Sequence, residues 1–89
     1  MLGHYSSTYF NMKKVEIYST PTCTYCNMAK SFFKSKNVEY TEYNVASDAA
    51  KRAEMVEKSG QLGVPVIVID GGAPIVGFDQ EEVAQALGV

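Results

Sequence analysis

The only two cysteines of the chain, Cys23 and Cys26, stand in Thr22-Cys23-Thr24-Tyr25-Cys26, between a strand-like run and a helix-like run. This pair, at this junction, restricts the fold more than any other feature. If it opens the helix, Cys23 lies at the N-terminus and Cys26 about one turn further on, so the sulfurs can face each other. That spacing suits a disulfide, which needs Cβ atoms roughly 3.5–4.5 Å apart. The unpaired amides and the positive dipole end of a helix favour a thiolate over a thiol. Cysteines in such settings are commonly more acidic than a free thiol, and the thiolate is the form that attacks disulfides. The expectation is a dithiol–disulfide pair, with Cys23 as nucleophile and Cys26 as resolving thiol.

The rest of the chain must supply a scaffold that holds this junction. Val15 and Ile17, flanked by Tyr18, form a β-prone first strand. Met28, Ala29, Phe32 and Phe33 recur at helical spacing after the cysteines, and Asn37 reads as the helix stop. Val38-Glu39-Tyr40-Thr41-Glu42-Tyr43-Asn44-Val45 alternates in strand fashion, which makes a βαβ unit and a parallel pair. Ser47 or Asp48 can cap a second helix with Ala49, Ala53 and Val56 inward, ending at Ser59-Gly60. Val66–Ile69 is a continuous β-branched run, expected to be buried on both faces. Asp70-Gly71-Gly72-Ala73 is a hairpin turn, and the run from Pro74 to Gly77 returns as an edge strand. Asp79 caps a last helix, with Glu82 three residues on and Val83, Ala84 and Leu87 inward. The predicted order is β-α-β-α-β-β-α. A four-stranded mixed α/β sheet with helices on both faces buries these stripes.

An 89-residue chain is one domain. Residues 12–89 read as that domain. Residues 1–11 read as a flexible N-terminal extension without a clear period, with a docked arm as the other option. A hydrophobic fraction of 46% argues against disorder. The net charge of −2, with Lys and Arg scattered, gives no support for nucleic-acid binding. No apolar run approaches the ~20 residues of a membrane span, and no secretion signal is evident. The chain is therefore expected to be a cytoplasmic monomer that binds neither membrane nor nucleic acid. No resident metal is expected either: a structural zinc site takes four ligands, and the chain offers the two cysteines and His4.

Thr-Cys-Thr-Tyr-Cys after the first strand, with Gly63-Val64-Pro65 before the third, resembles the glutaredoxin family of the thioredoxin fold. The resemblance covers about residue 12 to the end. It implies a disulfide oxidoreductase with no bound cofactor. The implied partners are disulfide-bearing proteins or glutathione mixed disulfides. Residue by residue, Cys23 matches the exposed nucleophile and Cys26 the resolving cysteine. Tyr25 matches the tyrosine of the family's Cys-Pro-Tyr-Cys motif. Pro65 matches a cis-proline, and Val64 the residue whose backbone pairs with bound peptide or glutathione. Gly77-Phe78-Asp79 matches the turn that holds the γ-glutamyl end of glutathione. Phe78 could equally pack in the core, and Asp79 also caps a helix.

The chain departs from the pattern at several positions. Thr24 replaces the motif proline, Thr20 a common lysine, and Gly63 a threonine; Val76 and Gln80 replace a glycine and an acid. These departures resemble redoxins that take electrons from thioredoxin reductase, some of which serve ribonucleotide reductase. Glutathione and thioredoxin reductase thus both stand as electron donors. A subunit-bridging iron–sulfur cluster or other metal-binding role, and a redox-inactive binding module, remain as rival readings.

Overall fold

A computed structural model describes residues 13–89; the extension expected at 1–11 lies outside them. Seven elements follow in the expected order: β1 (Val15–Ser19), α1 (Thr24–Ser35), β2 (Thr41–Asn44), α2 (Ala49–Ser59), β3 (Val66–Ile69), β4 (Ile75–Val76) and α3 (Gln80–Leu87). They build one mixed sheet of strand order β2-β1-β3-β4. β1 runs parallel to β2, from Glu16 opposite Thr41 to Ser19 opposite Asn44. It runs antiparallel to β3, from Val15 opposite Ile69 to Tyr18 opposite Val66. β4 completes the edge with Val76 opposite Val66.

Strand periodicity divides the core between the two sheet faces. Val15 and Ile17 of β1 and Ile67 of β3 point to one side, where they meet Ala29, Phe32 and Phe33 of α1 and Val83 and Leu87 of α3. Tyr18, Val66 and Val68 point to the other, where they meet Met55 of α2 and Val45. Alternate residues of one strand face opposite ways, so a strand covered on both faces has to be apolar almost throughout. β3 is therefore the unbroken run Val-Ile-Val-Ile. This architecture is the thioredoxin-like mixed sheet with helices on both faces.

The turns follow from local chemistry. Asp70 and Gly71 both take positive φ, +53° and +67°, and the Gly72 amide donates to the Ile69 carbonyl at 3.0 Å. That is a tight turn with both central residues left-handed, at the head of the five-residue connection from β3 to β4. Asp48 accepts from the Lys51 amide at 3.0 Å and caps α2. Asp79 caps α3, accepting from the Glu81 and Glu82 amides at 3.1 and 3.2 Å.

Three expectations need correction. β2 does not start at Val38. The Val38 amide donates to the Phe33 carbonyl at 2.8 Å and the Asn37 amide to Lys34 at 3.1 Å, with Asn37 at φ +57°. These are the paired bonds of a helix-ending Schellman motif, and Val38 is buried there against the core. Met55, not the alanine stripe, is the buried residue of α2; Ala49 and Ala53 are exposed and Val56 half-buried. Burying a Met side chain removes far more apolar area from water than burying an Ala methyl, so the helix turns that face to the sheet. Met28 is exposed rather than inward, because Cys26, Ala29 and Phe33 take the face of α1 that meets the sheet.

Candidate active site

The loop Thr20–Thr22 leaves the buried end of β1 and turns into α1. The Cys23 amide donates to the Thr20 carbonyl at 3.3 Å, which closes this turn. Cys23 is the N-cap of α1, with extended backbone at φ −82° and ψ 115°. An N-cap is normally an oxygen-bearing side chain that accepts from a first-turn amide. Here the Cys23 sulfur takes that place, accepting from the Cys26 amide at 3.1 Å. A hydrogen bond of this kind strengthens when the acceptor is charged, and the helix dipole acts in the same direction. The first turn of α1 carries no acidic residue to oppose it.

The two sulfurs sit in different surroundings. Cys23 is half-buried and Cys26 fully buried, and both are free thiols. Burial pushes the Cys26 thiol up to about 12, and its hydrogen bond with Cys23 adds to the rise. One sulfur is therefore reachable and supplied with a donor, while its neighbour is held as a neutral thiol.

Val64 lies beside Cys23, and Gly77 is bonded to the loop that carries it, although both come from distant parts of the chain. The Val64–Pro65 bond is cis, and Pro65 is buried at the start of β3. The Val64 carbonyl lies 3.8 Å from Cys23 Sγ. Gly77, at φ +85°, donates its amide to the Pro65 carbonyl at 2.8 Å. That bond ties the Gly77-Phe78-Asp79 turn to the proline loop. The Phe78 ring packs 5.8 Å from that of Phe32, half-buried on the core. Tyr25 is 59% exposed beside the cysteines. Thr24 opens onto a surface groove of about 680 Å³ shared with Met28, Phe32 and Phe78.

One contributor was not legible in the sequence. The Gln61 amide brackets Gly63: Nε2 donates to the Gly63 carbonyl at 3.1 Å, and Oε1 accepts from the Gly63 amide at 2.5 Å. The loop that delivers Val64 is thereby held from the side. A glutamine in a turn carries no pattern that predicts this. Among the described residues, no group of three or more His, Cys, Asp or Glu is gathered that could hold a metal ion. No helix among them is long and apolar enough to cross a membrane.

The family model described as Glutaredoxin matches residues 15–73. The chain is 51% identical over 69 residues to an uncharacterized glutaredoxin-like 8.6 kDa protein of the rubredoxin operon of Clostridium pasteurianum, spanning 78% of this chain and 91% of that one. It is 48% identical over 59 residues to glutaredoxin 3 of Escherichia coli strain K12, spanning 66% and 71%. Among solved structures, the thioredoxin-like protein BC3987 superposes with a TM-score of 0.75 at 36% identity, covering 81% of this chain and 97% of that one.

Proposed function

The chain belongs to the glutaredoxin family and is a thiol–disulfide oxidoreductase, and from that premise we propose that its electrons pass through Cys23 and Cys26. The observation that carries this reading is the sulfur of Cys23 at the N-cap of α1, accepting the Cys26 amide at 3.1 Å. The Cys23 thiolate attacks one sulfur of a substrate disulfide. A Cys23–substrate bond forms, the substrate S–S bond breaks, and one thiolate leaves. Cys26 then gives up its proton to solvent and attacks Cys23 Sγ. The second substrate sulfur leaves reduced, and the Cys23–Cys26 pair has lost two electrons. Attack needs the thiolate rather than an added general base.

Val64 and Pro65 supply a short backbone edge beside the sulfur, which an extended peptide or glutathione can pair with. Gly77-Phe78-Asp79, bonded to Pro65 through the Gly77 amide, and the exposed Tyr25 are the further substrate contacts in this reading. Members of the family draw electrons from glutathione and need no bound cofactor. For this chain the donor is glutathione or a thioredoxin reductase, and its substrates are disulfide-bearing proteins or glutathione mixed disulfides.

The test of the assignment is Cys26→Ser with a disulfide substrate. A stable mixed disulfide on Cys23 is expected, and Cys23→Ser should abolish it. Failure to trap any adduct on Cys23 would reject the assignment. Turnover with glutathione plus glutathione reductase, set against NADPH plus thioredoxin reductase, identifies the donor.

A further inference from the structure

Cys26 has no role in the proposed chemistry until it loses its proton, and its burial opposes that loss. The polar groups around it are therefore informative. Lys30 lies four residues on along α1, on the same helical face. Its side chain is only 18% exposed and is fixed by Glu42, Nζ to Oε2 at 2.8 Å. The same Glu42 oxygen accepts from Ser19 Oγ at 2.6 Å, and Ser19 is fully buried at the end of β1. A strand end, its parallel neighbour and α1 thus meet in one anchored cluster, whose cation stands one helical turn from the resolving thiol.

We infer that Lys30, fixed by Glu42 and Ser19, is the positioning residue that stabilises the Cys26 thiolate in the resolving step. The inference rests on Cys26 being the resolving thiol. The groups acting on Cys26 fall into two sets. Burial and the hydrogen bond and charge of Cys23 hold it protonated; a Thr20 backbone hydrogen bond and the charge of Lys30 act the other way. Lys30 is itself held protonated, first by its bond to Glu42. Glu42 is held ionised by Lys30, then by Ser19, with Lys34 adding to this. Tyr40 also acts on Lys30. Once Cys23 is tied up in a mixed disulfide it carries no charge. Two of the three effects opposing ionisation then disappear; burial, the largest, remains, opposed by the Thr20 hydrogen bond and by the smaller effect of the Lys30 charge. The proton is held less tightly at the stage where Cys26 must attack.

The step balances without another reagent. The Cys26–Cys23 bond forms, the Cys23–substrate bond breaks, the substrate sulfur takes the electron pair, and the Cys26 proton goes to solvent.

The test uses the reduced full chain and one equivalent of the aromatic disulfide dithiobis-nitrobenzoate, with release of the yellow thiolate followed by stopped flow from about pH 5 to about pH 9. The first release reports attack by Cys23 and the second reports attack by Cys26. Each unit by which the Cys26 pKa rises lowers its thiolate about tenfold, and the more basic thiolate regains part of that through nucleophilicity, with a slope of about 0.4–0.5. The net slowing is about three- to fourfold per unit. Lys30→Gln should therefore move the pH midpoint of the second release upward and slow that release near pH 7, by about three- to fourfold for each unit of the shift. The first release should stay within about twofold, and Lys30→Arg should restore the second. An unchanged second phase in Lys30→Gln, or equal slowing of both phases, overturns the inference. If the unsubstituted protein releases only one thiolate, the resolving role of Cys26 itself fails, which is a different outcome.

Discussion

Gly63 and Gln61 should behave as one unit, and a double-mutant cycle measures the coupling. A Cβ built on Gly63 would lie 2.6 Å from Gln61 Oε1. Gly63→Ala must therefore push the glutamine tip aside and break both bonds that bracket the Gly63 backbone. Each such bond contributes about 0.5–1.5 kcal/mol. Gly63 is exposed, so water replaces the lost partners and the low end applies, about 1 kcal/mol for the two. Gly63 does not occupy left-handed backbone. Alanine there gains about 0.4–1 kcal/mol by restricting the unfolded chain. In the parent protein the two effects nearly cancel. In Gln61→Ala the bracket is already gone, so Gly63→Ala should stabilise by about 0.4–1 kcal/mol. The coupling is thus about 1 kcal/mol, read from urea unfolding of the four proteins at equal m-value. Additivity within about 0.3 kcal/mol would show that the glutamine does not hold the loop.

Two further substitutions probe the core and the alkaline limit. Phe33 is fully buried and packs against Phe32 and Tyr40, ring centroids 6.2 and 5.4 Å away. Phe33→Ala should cost about 3–5 kcal/mol, seen as a lower urea midpoint, and a loss under about 1 kcal/mol would refute the packing described. Tyr43 donates to Glu16 Oε2 at 2.7 Å; that bond first, and burial second, push its phenol up to about 12. A pKa raised on folding means stabilisation that is full below the unfolded value of about 10 and is lost as pH climbs toward 12. Tyr43→Phe should therefore lose stability less steeply than the parent between about pH 10 and about pH 12, and parallel curves would contradict the assignment.

Much of the fold could be read from short-range pattern. The cysteine pair at a helix start, the Asp48 and Asp79 caps, the Asp70-Gly71 turn and the Val66–Ile69 strand each depend on neighbours within a few residues. Where the reading slipped, two local explanations competed and packing chose between them. Val38 belongs to an alternating run, yet its amide completes the end of α1 and its side chain joins the core. The alanines of α2 mark a plausible inner face, yet Met55 buries more apolar surface. Met28 fits the helical period but falls on the flank of α1 that faces the groove.

Local pattern was enough to establish the chemistry available to this chain: two thiols one turn apart where a helix begins, because helix geometry and capping act within four residues. Folding in three dimensions decided what surrounds those thiols. The Val64 carbonyl reaches Cys23 across 41 positions of sequence, and Glu42 meets Lys30 and Ser19 only because β2 lies beside β1. Contacts of that range depend on sheet register and on which helix faces are buried, and those follow from the packing of the whole domain rather than from any one segment.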